Sequence, residues 1–399
     1  MNVGGISIVW VNPCFLDYRV PVYAALDEML GGNLTVIFSA KRTPAGVQRK
    51  IKAALGSRAV ALAGEHFISI RSNEENFANV GFNLPYQPGL VKAIIASRSD
   101  IVISEGFFQW TPAALWVKLR NRVPIVITYE RTSHTERNAG ALRTIYRRMI
   151  IQQIDAICCN GVLSKEYCTT ILRMPSERIV TGGMAADTEV LSTKCFNLLE
   201  KEIQQSRARL GLISPIFLYI GRFVRPKGLR ELVEAWEIYV KKLSSDNGTL
   251  LLVGDGAERP ILERMVATKN LRNVVFTGAV DYDKIALYYA MSDVFVMPTL
   301  EDNWSLVVPE AMACGKTILC SKYNGCWPEL VQEGINGWVF NPMRPEELAE
   351  LFKKCRERTD VLREMGKRSA EIVQKYSPRC AAEAVLNACL IALHRKSSA

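Results

Sequence analysis

The sequence predicts an α/β protein of two Rossmann-like domains, with parallel sheets facing across a cleft. Three observations lead there. Short β-branched runs recur with amphipathic, helix-prone stretches between them; the alternation breaks once near the middle and restarts; and 399 residues exceed what one ordinary core organises. Alternation of this kind implies parallel pairing, because a strand that returns in the same direction needs a crossover, which a helix supplies.

In chain order, the first series of strands is expected at residues 6–11, 34–38, 101–104, 124–128 and 156–159. A charged, helix-prone stretch at 187–215 then interrupts the pattern. The second series follows at 216–220, 250–253, 274–276, 294–297 and 318–320. The expected domains are therefore 1–190 and 191–378. A helix over 379–399 carries Ala382, Val385, Leu386, Cys389, Leu390 and Leu393 at helical spacing, as a brace for the domains would. Open sheets of this type bind ligands at the carboxyl ends of their strands, so chemistry is expected in the cleft.

Composition narrows the function class. Hydrophobic residues make up 49% and charged residues 23%, the balance of a globular chain rather than a disordered one. The N-terminus has no basic region ahead of its apolar run and reads as a strand, not a signal peptide. No apolar stretch reaches the roughly 20 residues that span a bilayer. Eleven cysteines without a pair of CxxC units, and only three histidines, argue for buried free thiols over disulfides or a zinc site. The net charge of +10 admits an anionic partner. Lys118, Arg120, Arg122, Arg131, Arg137, Arg143, Arg147 and Arg148 crowd one stretch, which is either a solvated helix face or a surface for anionic lipid headgroups. No nucleic-acid motif accompanies the charge. The location expected is the cytoplasm, peripheral at the inner face of the membrane if that surface docks there.

The second half carries the chemistry. Strand 216–220 runs into Gly221-Arg222-Phe223-Val224-Arg225-Pro226-Lys227-Gly228, where glycine lets the backbone approach a ligand and Arg222 and Lys227 supply charge for a diphosphate. Strand 250–253 runs into Gly254-Asp255-Gly256, which by itself is a tight turn. The segment from Pro298 to Gly315 puts Asp302 in a loop and Glu310 in a helix, eight residues apart, with Trp304, Ser305 and Leu306 between. Asp302 can accept from sugar hydroxyls and Glu310 from a ribose diol, while the helix-start amides face phosphates. Asp281-Tyr282-Asp283 has the D-x-D form of a metal clamp, but at a helix start Asp281 reads as an N-cap.

These motifs together resemble glycosyltransferase family 4, the retaining enzymes of the GT-B fold, over nearly all of residues 216–342. The resemblance rests on the GR and KG loop, the G-D-G turn, Phe276-Thr277-Gly278, the strand 292–298, the two acids, and Gly325, Glu329, Gly334 and Gly337. It implies that Arg222 and Lys227 bind the donor diphosphate, Glu310 the ribose, and Asp302 through Leu306 the sugar and phosphates, with Gly221, Gly254 and Gly256 lining the donor site. The family's usual Glu-Gly-Phe-Gly is replaced here by Asp302-Asn303-Trp304-Ser305, an acid shorter by one methylene.

In the first half the same resemblance puts an acceptor-side loop at residues 12–21, with Arg19 as an anion contact. Tyr129-Glu130-Arg131 stands where relatives carry a histidine beside the transferred sugar. Glu130 either stabilises charge at the anomeric carbon or pairs with Arg131; His134 is a lesser candidate, and Glu105 ends another strand. The function expected is transfer of a hexose-type sugar, with retention, from a nucleotide diphosphate sugar to a glycan or lipid-linked acceptor. Cell-surface polysaccharide or lipopolysaccharide synthesis is the expected setting. No cofactor or metal is required, since the cations can neutralise the leaving diphosphate. The alternatives are a sugar-nucleotide epimerase of the same fold and a non-catalytic relative that binds nucleotide-sugars.

Overall fold

The computed structural model describes residues 5–14, 16–70, 77, 82–242 and 248–398. Met1 to Gly4, ahead of the expected first strand, and Phe15, in the expected acceptor-side loop, lie outside the described residues. Two compact units emerge: one runs to Ala185 and resumes at Tyr376, and the other runs from Ala186 to Lys375.

The first unit holds β1 (Ile8–Val11), β2 (Leu34–Ser39), β3 (Ala59–Leu62), β4 (His66–Ile70), β5 (Phe82–Tyr86), β6 (Ile101–Glu105), β7 (Ile125–Tyr129), β8 (Ala156–Cys159) and β9 (Ile179–Thr181). Seven of these form one parallel sheet in the order β3-β2-β1-β6-β7-β8-β9, and β4 and β5 pair as an antiparallel hairpin. Strands β1, β7 and β8 are buried at every position, as expected of β-branched runs covered on both faces. The helix Pro378–Ser398 belongs to this unit. Its Ala382, Val385, Ala388, Cys389 and Ala392 are fully buried in the core that holds Trp10, Tyr23 and Cys158. Small residues on that face let the helix come close to the sheet.

The second unit holds β10 (Ile216–Ile220), β11 (Thr249–Val253), β12 (Val274–Gly278), β13 (Val294–Met297), β14 (Thr317–Ser321) and β15 (Gly337–Phe340). All are parallel, in the order β12-β11-β10-β13-β14-β15. Counted within the unit this is 3-2-1-4-5-6, the dinucleotide-fold order, whose switch point falls between β10 and β13. One face is sealed by Phe217, Trp236, Tyr239 and Phe352, which meet edge to face, or tilted in the Trp236–Tyr239 pair, with ring centroids 4.7 to 6.3 Å apart.

The expected strands are all present, and the charged stretch 187–215 forms the helices Glu189–Phe196 and Glu200–Arg209. All eleven cysteines are free thiols, as the sequence implied. Among the described residues no helix is long and apolar enough to cross a membrane.

Candidate functional site

At the switch point of the second unit, the loop after β10 is stitched to the loop after β13. The carbonyl of Pro226 accepts from the amides of Leu300 and Glu301 and from the Thr299 hydroxyl. Gly228, at φ +69°, makes the turn possible, because a Cβ there would fall on the Pro298 carbonyl. The G-D-G turn after β11 supports the same loop from beside it: Phe223 N–H donates to the Asp255 carbonyl, and a Cβ on Gly254 would strike the Gly221 carbonyl. Gly254 and Gly256 thus serve a close backbone contact that any side chain would break.

The residues brought together on this scaffold are Lys227, Asp302 and Ser305. One oxygen of Asp302, Oδ2, accepts from the Lys227 ammonium and the Ser305 hydroxyl, and Oδ1 accepts from the Trp304 amide at 3.1 Å. Burial pushes the Asp302 carboxyl up, but the Lys227 ammonium, with the Ser305 and Trp304 bonds, holds it below the usual carboxylate range. Both Asp302 oxygens are therefore engaged within the protein, two bonds falling on Oδ2 and one on Oδ1, which leaves about one acceptor position on Oδ1. Arg222 is exposed, with its carbonyl held by the Tyr219 hydroxyl at 3.0 Å, and Tyr219 feels both Arg222 and Asp302. Of the loop's other cations, Arg225 is spent on Glu231.

The helix Val307–Ala313 begins just beyond, with Leu306 as its N-cap and Gly315 (φ +70°) past its end. The Ser305 amide donates 3.3 Å to Asn324 Oδ1 from the loop after β14. Two amides expected to face phosphates, those of Trp304 and Ser305, are thus committed to side chains. Glu310 is 7% exposed, and its Oε2 and Oε1 accept from the hydroxyls of Tyr289 at 3.0 Å and Tyr282 at 3.1 Å. Burial pushes its carboxyl up to about 7 even though both tyrosines pull it down. Neither tyrosine nor Asn324 was legible as a partner, because both tyrosines come from the connection between β12 and β13 and Asn324 from the loop after β14. Asp281 occupies an N-cap position, but its side chain makes no cap hydrogen bond and instead lies 3.8 Å from Lys284.

The first unit has its own switch point, between β1 and β6. Arg19 sits there, but not as an open anion contact. Its guanidinium is 3% exposed, donates to the Gly183 carbonyl, lies 3.8 Å from Glu105, and packs over Trp10 and Tyr18. Trp10 Nε1 and Asn12 Nδ2 donate to Glu105 Oε1 at 3.0 and 3.2 Å. A charge so enclosed orders the loop after β1. Glu130 is half-buried at the end of β7, with its carbonyl accepting from Ser164. The expected Arg131 partner is elsewhere: Arg131 lies 3.2 Å from Glu136, which also holds the buried Arg147.

The basic stretch is likewise divided. Lys118 pairs with Asp155, Arg147 is buried against Glu136, and Arg148 donates to the Ile171 carbonyl. What the helix Ala141–Ile151 does expose is an apolar row, Leu142, Ile145 and Met149, with Leu142 84% accessible. Trp116 and Leu119 of the helix Thr111–Asn121 are also exposed, with Arg120 over the Trp116 ring. Among the described residues no group of three or more His, Cys, Asp or Glu side chains gathers as a metal cluster would.

Two family models match, that of "Glycosyl transferases group 1" over residues 214–357 and that of "Glycosyltransferase Family 4" over residues 29–189. Among curated proteins, the alpha-monoglucosyldiacylglycerol synthase of Acholeplasma laidlawii is 28% identical over 178 residues, 44% of this chain and 43% of that protein. The sulfoquinovosyl transferase SQD2 of Arabidopsis thaliana is 28% identical over 322 residues, 78% of this chain and 60% of that one. The chain therefore spans about half the length of the curated relatives it matches. Among solved structures, Anabaena HepE in complex with UDP superposes with TM-score 0.73 at 15% identity, covering 96% of this chain and 99% of that one. A glycosyltransferase from Rickettsia africae gives 0.72 at 16%, covering 97% and 98%.

Proposed function

The chain belongs to glycosyltransferase family 4 and has the GT-B fold, and from that premise we propose that it transfers a hexose-type sugar from a nucleoside diphosphate donor to a glycan or lipid-linked acceptor, with retention. The observation that carries this reading is the hydrogen-bonded knot of Lys227, Asp302 and Ser305 at the switch point, with Arg222 exposed beside it and Glu310 in the helix that follows. A diphosphate offers Lys227 a stronger partner than one carboxylate does, and Arg222 adds a second cation. Charge building on the leaving group is then neutralised by groups already in place, the kind of preorganised electrostatics that lowers a transfer barrier. These two cations supply that charge without a divalent ion. The acceptor hydroxyl attacks the anomeric carbon from the face the diphosphate leaves, the bond to the diphosphate oxygen breaks, and the departing phosphate takes the hydroxyl proton. A UDP-type donor is supported by the UDP bound in the superposable Anabaena structure.

The test is transfer from UDP-glucose, UDP-galactose and GDP-mannose to diacylglycerol, glucosyl-diacylglycerol and oligosaccharide acceptors, with the anomeric configuration of the product read by NMR. An α-linked product from an α-linked donor supports the reading; a β-linked product overturns retention. An epimeric sugar formed without acceptor would favour an epimerase. Donor binding with no transfer to any acceptor would favour a non-catalytic relative.

A second observation bears on the acceptor. The exposed row Leu142, Ile145 and Met149, flanked by Arg143 and Arg148, has the make-up of a face that rests in an anionic interface. The name of the Acholeplasma laidlawii relative, an alpha-monoglucosyldiacylglycerol synthase, points the same way. We propose that this face lies on the cytosolic leaflet and that the acceptor is lipid-borne.

A further inference from the structure

The D-x-D segment, set aside as a metal clamp, still touches the donor site through its middle residue. Asp281 and Asp283 are exposed and pair with Lys284 and Lys194, whereas the Tyr282 hydroxyl donates to Glu310 Oε1 at 3.1 Å. Tyr289 donates to Oε2 at 3.0 Å from the helix Ile285–Met291. We propose that Tyr282 is a positioning residue for nucleotide recognition, fixing with Tyr289 the plane of the Glu310 carboxylate so that its remaining acceptor sites meet a ribose diol. This rests on the reading of Glu310 as the ribose contact.

The acceptor count supports it. A carboxylate has about four acceptor positions, and two tyrosines use one on each oxygen. One position per oxygen is left, which is what two vicinal hydroxyls need. Burial pushes both phenols above their ordinary value, so both remain donors through the neutral range.

The arrangement also sets the pH range of binding. The titratable groups around Glu310 are Tyr289 and Tyr282 from neighbouring elements and Cys314 on its own helix. Cys314 in turn meets Cys195 and Lys316, and Asp187 acts on Tyr282. Burial is the largest influence on Glu310 and raises it to about 7, and the two hydroxyls oppose that rise. The ionised carboxylate is the better acceptor for a diol, so binding weakens as pH falls through 7. Removing the Tyr282 hydroxyl moves that loss to higher pH.

The experiment titrates UDP-glucose and GDP-mannose, whose pyrophosphates do not themselves titrate near neutrality, into the full chain and its Tyr282→Phe, Glu310→Gln and Asp281→Asn/Asp283→Asn variants at pH 6, 7 and 8.5. The parent should bind one donor about tenfold more weakly at pH 6 than at pH 8.5. Tyr282→Phe should be within about twofold of the parent at pH 8.5 and about fivefold weaker at pH 7. The double asparagine variant should match the parent throughout. Tyr282→Phe that tracks the parent at every pH, or that is weaker by one constant factor, overturns the proposal while leaving the donor site intact. Parent affinity and pH dependence retained in Glu310→Gln, or no binding of either donor by the parent, removes the ribose reading and this inference with it.

Discussion

Lys227 and Asp302 hold one another in a half-enclosed place, and that changes how a substitution there should be read. Lys227→Ala removes a cation from the proposed leaving-group site, but it also strands a buried carboxylate whose acidity depends on Lys227. The stability cost is expected to be roughly 3 kcal/mol, toward the low end for an uncompensated buried charge. The loss of turnover is expected to be about 100-fold or more, the size of one preorganised donor. Adding Asp302→Asn should restore most of the melting temperature and none of the turnover, a split readable by calorimetry and assay on the same samples. Glu310 behaves in the opposite sense. Its folded carboxyl titrates near 7 against an ordinary 4.5, so the folded state favours the proton. The associated stability is fully present below about pH 4.5 and is lost as pH rises through 7, by about 3 kcal/mol in total. Glu310→Gln should therefore melt higher than the parent at pH 8.5, with the difference vanishing below about pH 4.5, while losing nucleotide affinity. The acids themselves were legible from their eight-residue spacing. Their partners were not: a spacing rule sees Asp302 and Glu310 on one segment, whereas Lys227, Tyr282 and Tyr289 reach them from other segments of the chain.

At the scale of elements, the site depends on two loops pressed together at their backbones. Gly228→Ala would place a methyl on the Pro298 carbonyl at a positive φ, so the loop carrying Lys227 must move off the loop carrying Asp302. Donor affinity is expected to fall at least tenfold, with a melting temperature lower by several degrees. Gly334, also at positive φ but with open space around its Cβ position, should tolerate alanine with a smaller change. Most of the strands the sequence revealed are central and buried, where β-branched runs are densest; β12, a half-buried edge strand, is the exception. Those it hid are edge or outlying pieces: β9 has three residues, β3 is half-exposed, and β15 opens on Gly337, which packs against Ile318. The basic stretch misled for a related reason. A run of arginines looks like one surface, yet Arg147 is held inside by Glu136 and Tyr167, and the exposed face is apolar. Charge reversal at Arg147 would unfold the helix locally rather than test docking. Leu142→Glu with Met149→Glu leaves that core alone and should abolish flotation with phosphatidylglycerol vesicles. Unchanged flotation would remove the membrane face.

Over the whole molecule, the chain leaves the first unit at Ala185 and completes it only with the helix Pro378–Ser398. Removing residues 378–399 strips five fully buried side chains from the core around Trp10 and Tyr23. The first unit should then lose its cooperative melting while the second, whose core is built from residues 186–375, keeps its own transition. Two parallel sheets were readable from alternation alone. That the second unit carries the 3-2-1-4-5-6 order was not, because periodicity gives strands and not their neighbours. That order fixes where a ligand belongs, and the loops of Lys227 and Asp302 meet there. The most direct test is therefore a crystal structure of the full chain with UDP or GDP bound. The pyrophosphate is expected within hydrogen-bond reach of Lys227 and Arg222, with Lys227 drawn from Asp302 and the ribose hydroxyls on Glu310. A nucleotide bound with its phosphates away from Lys227 and Arg222, or its ribose away from Glu310, would contradict the account.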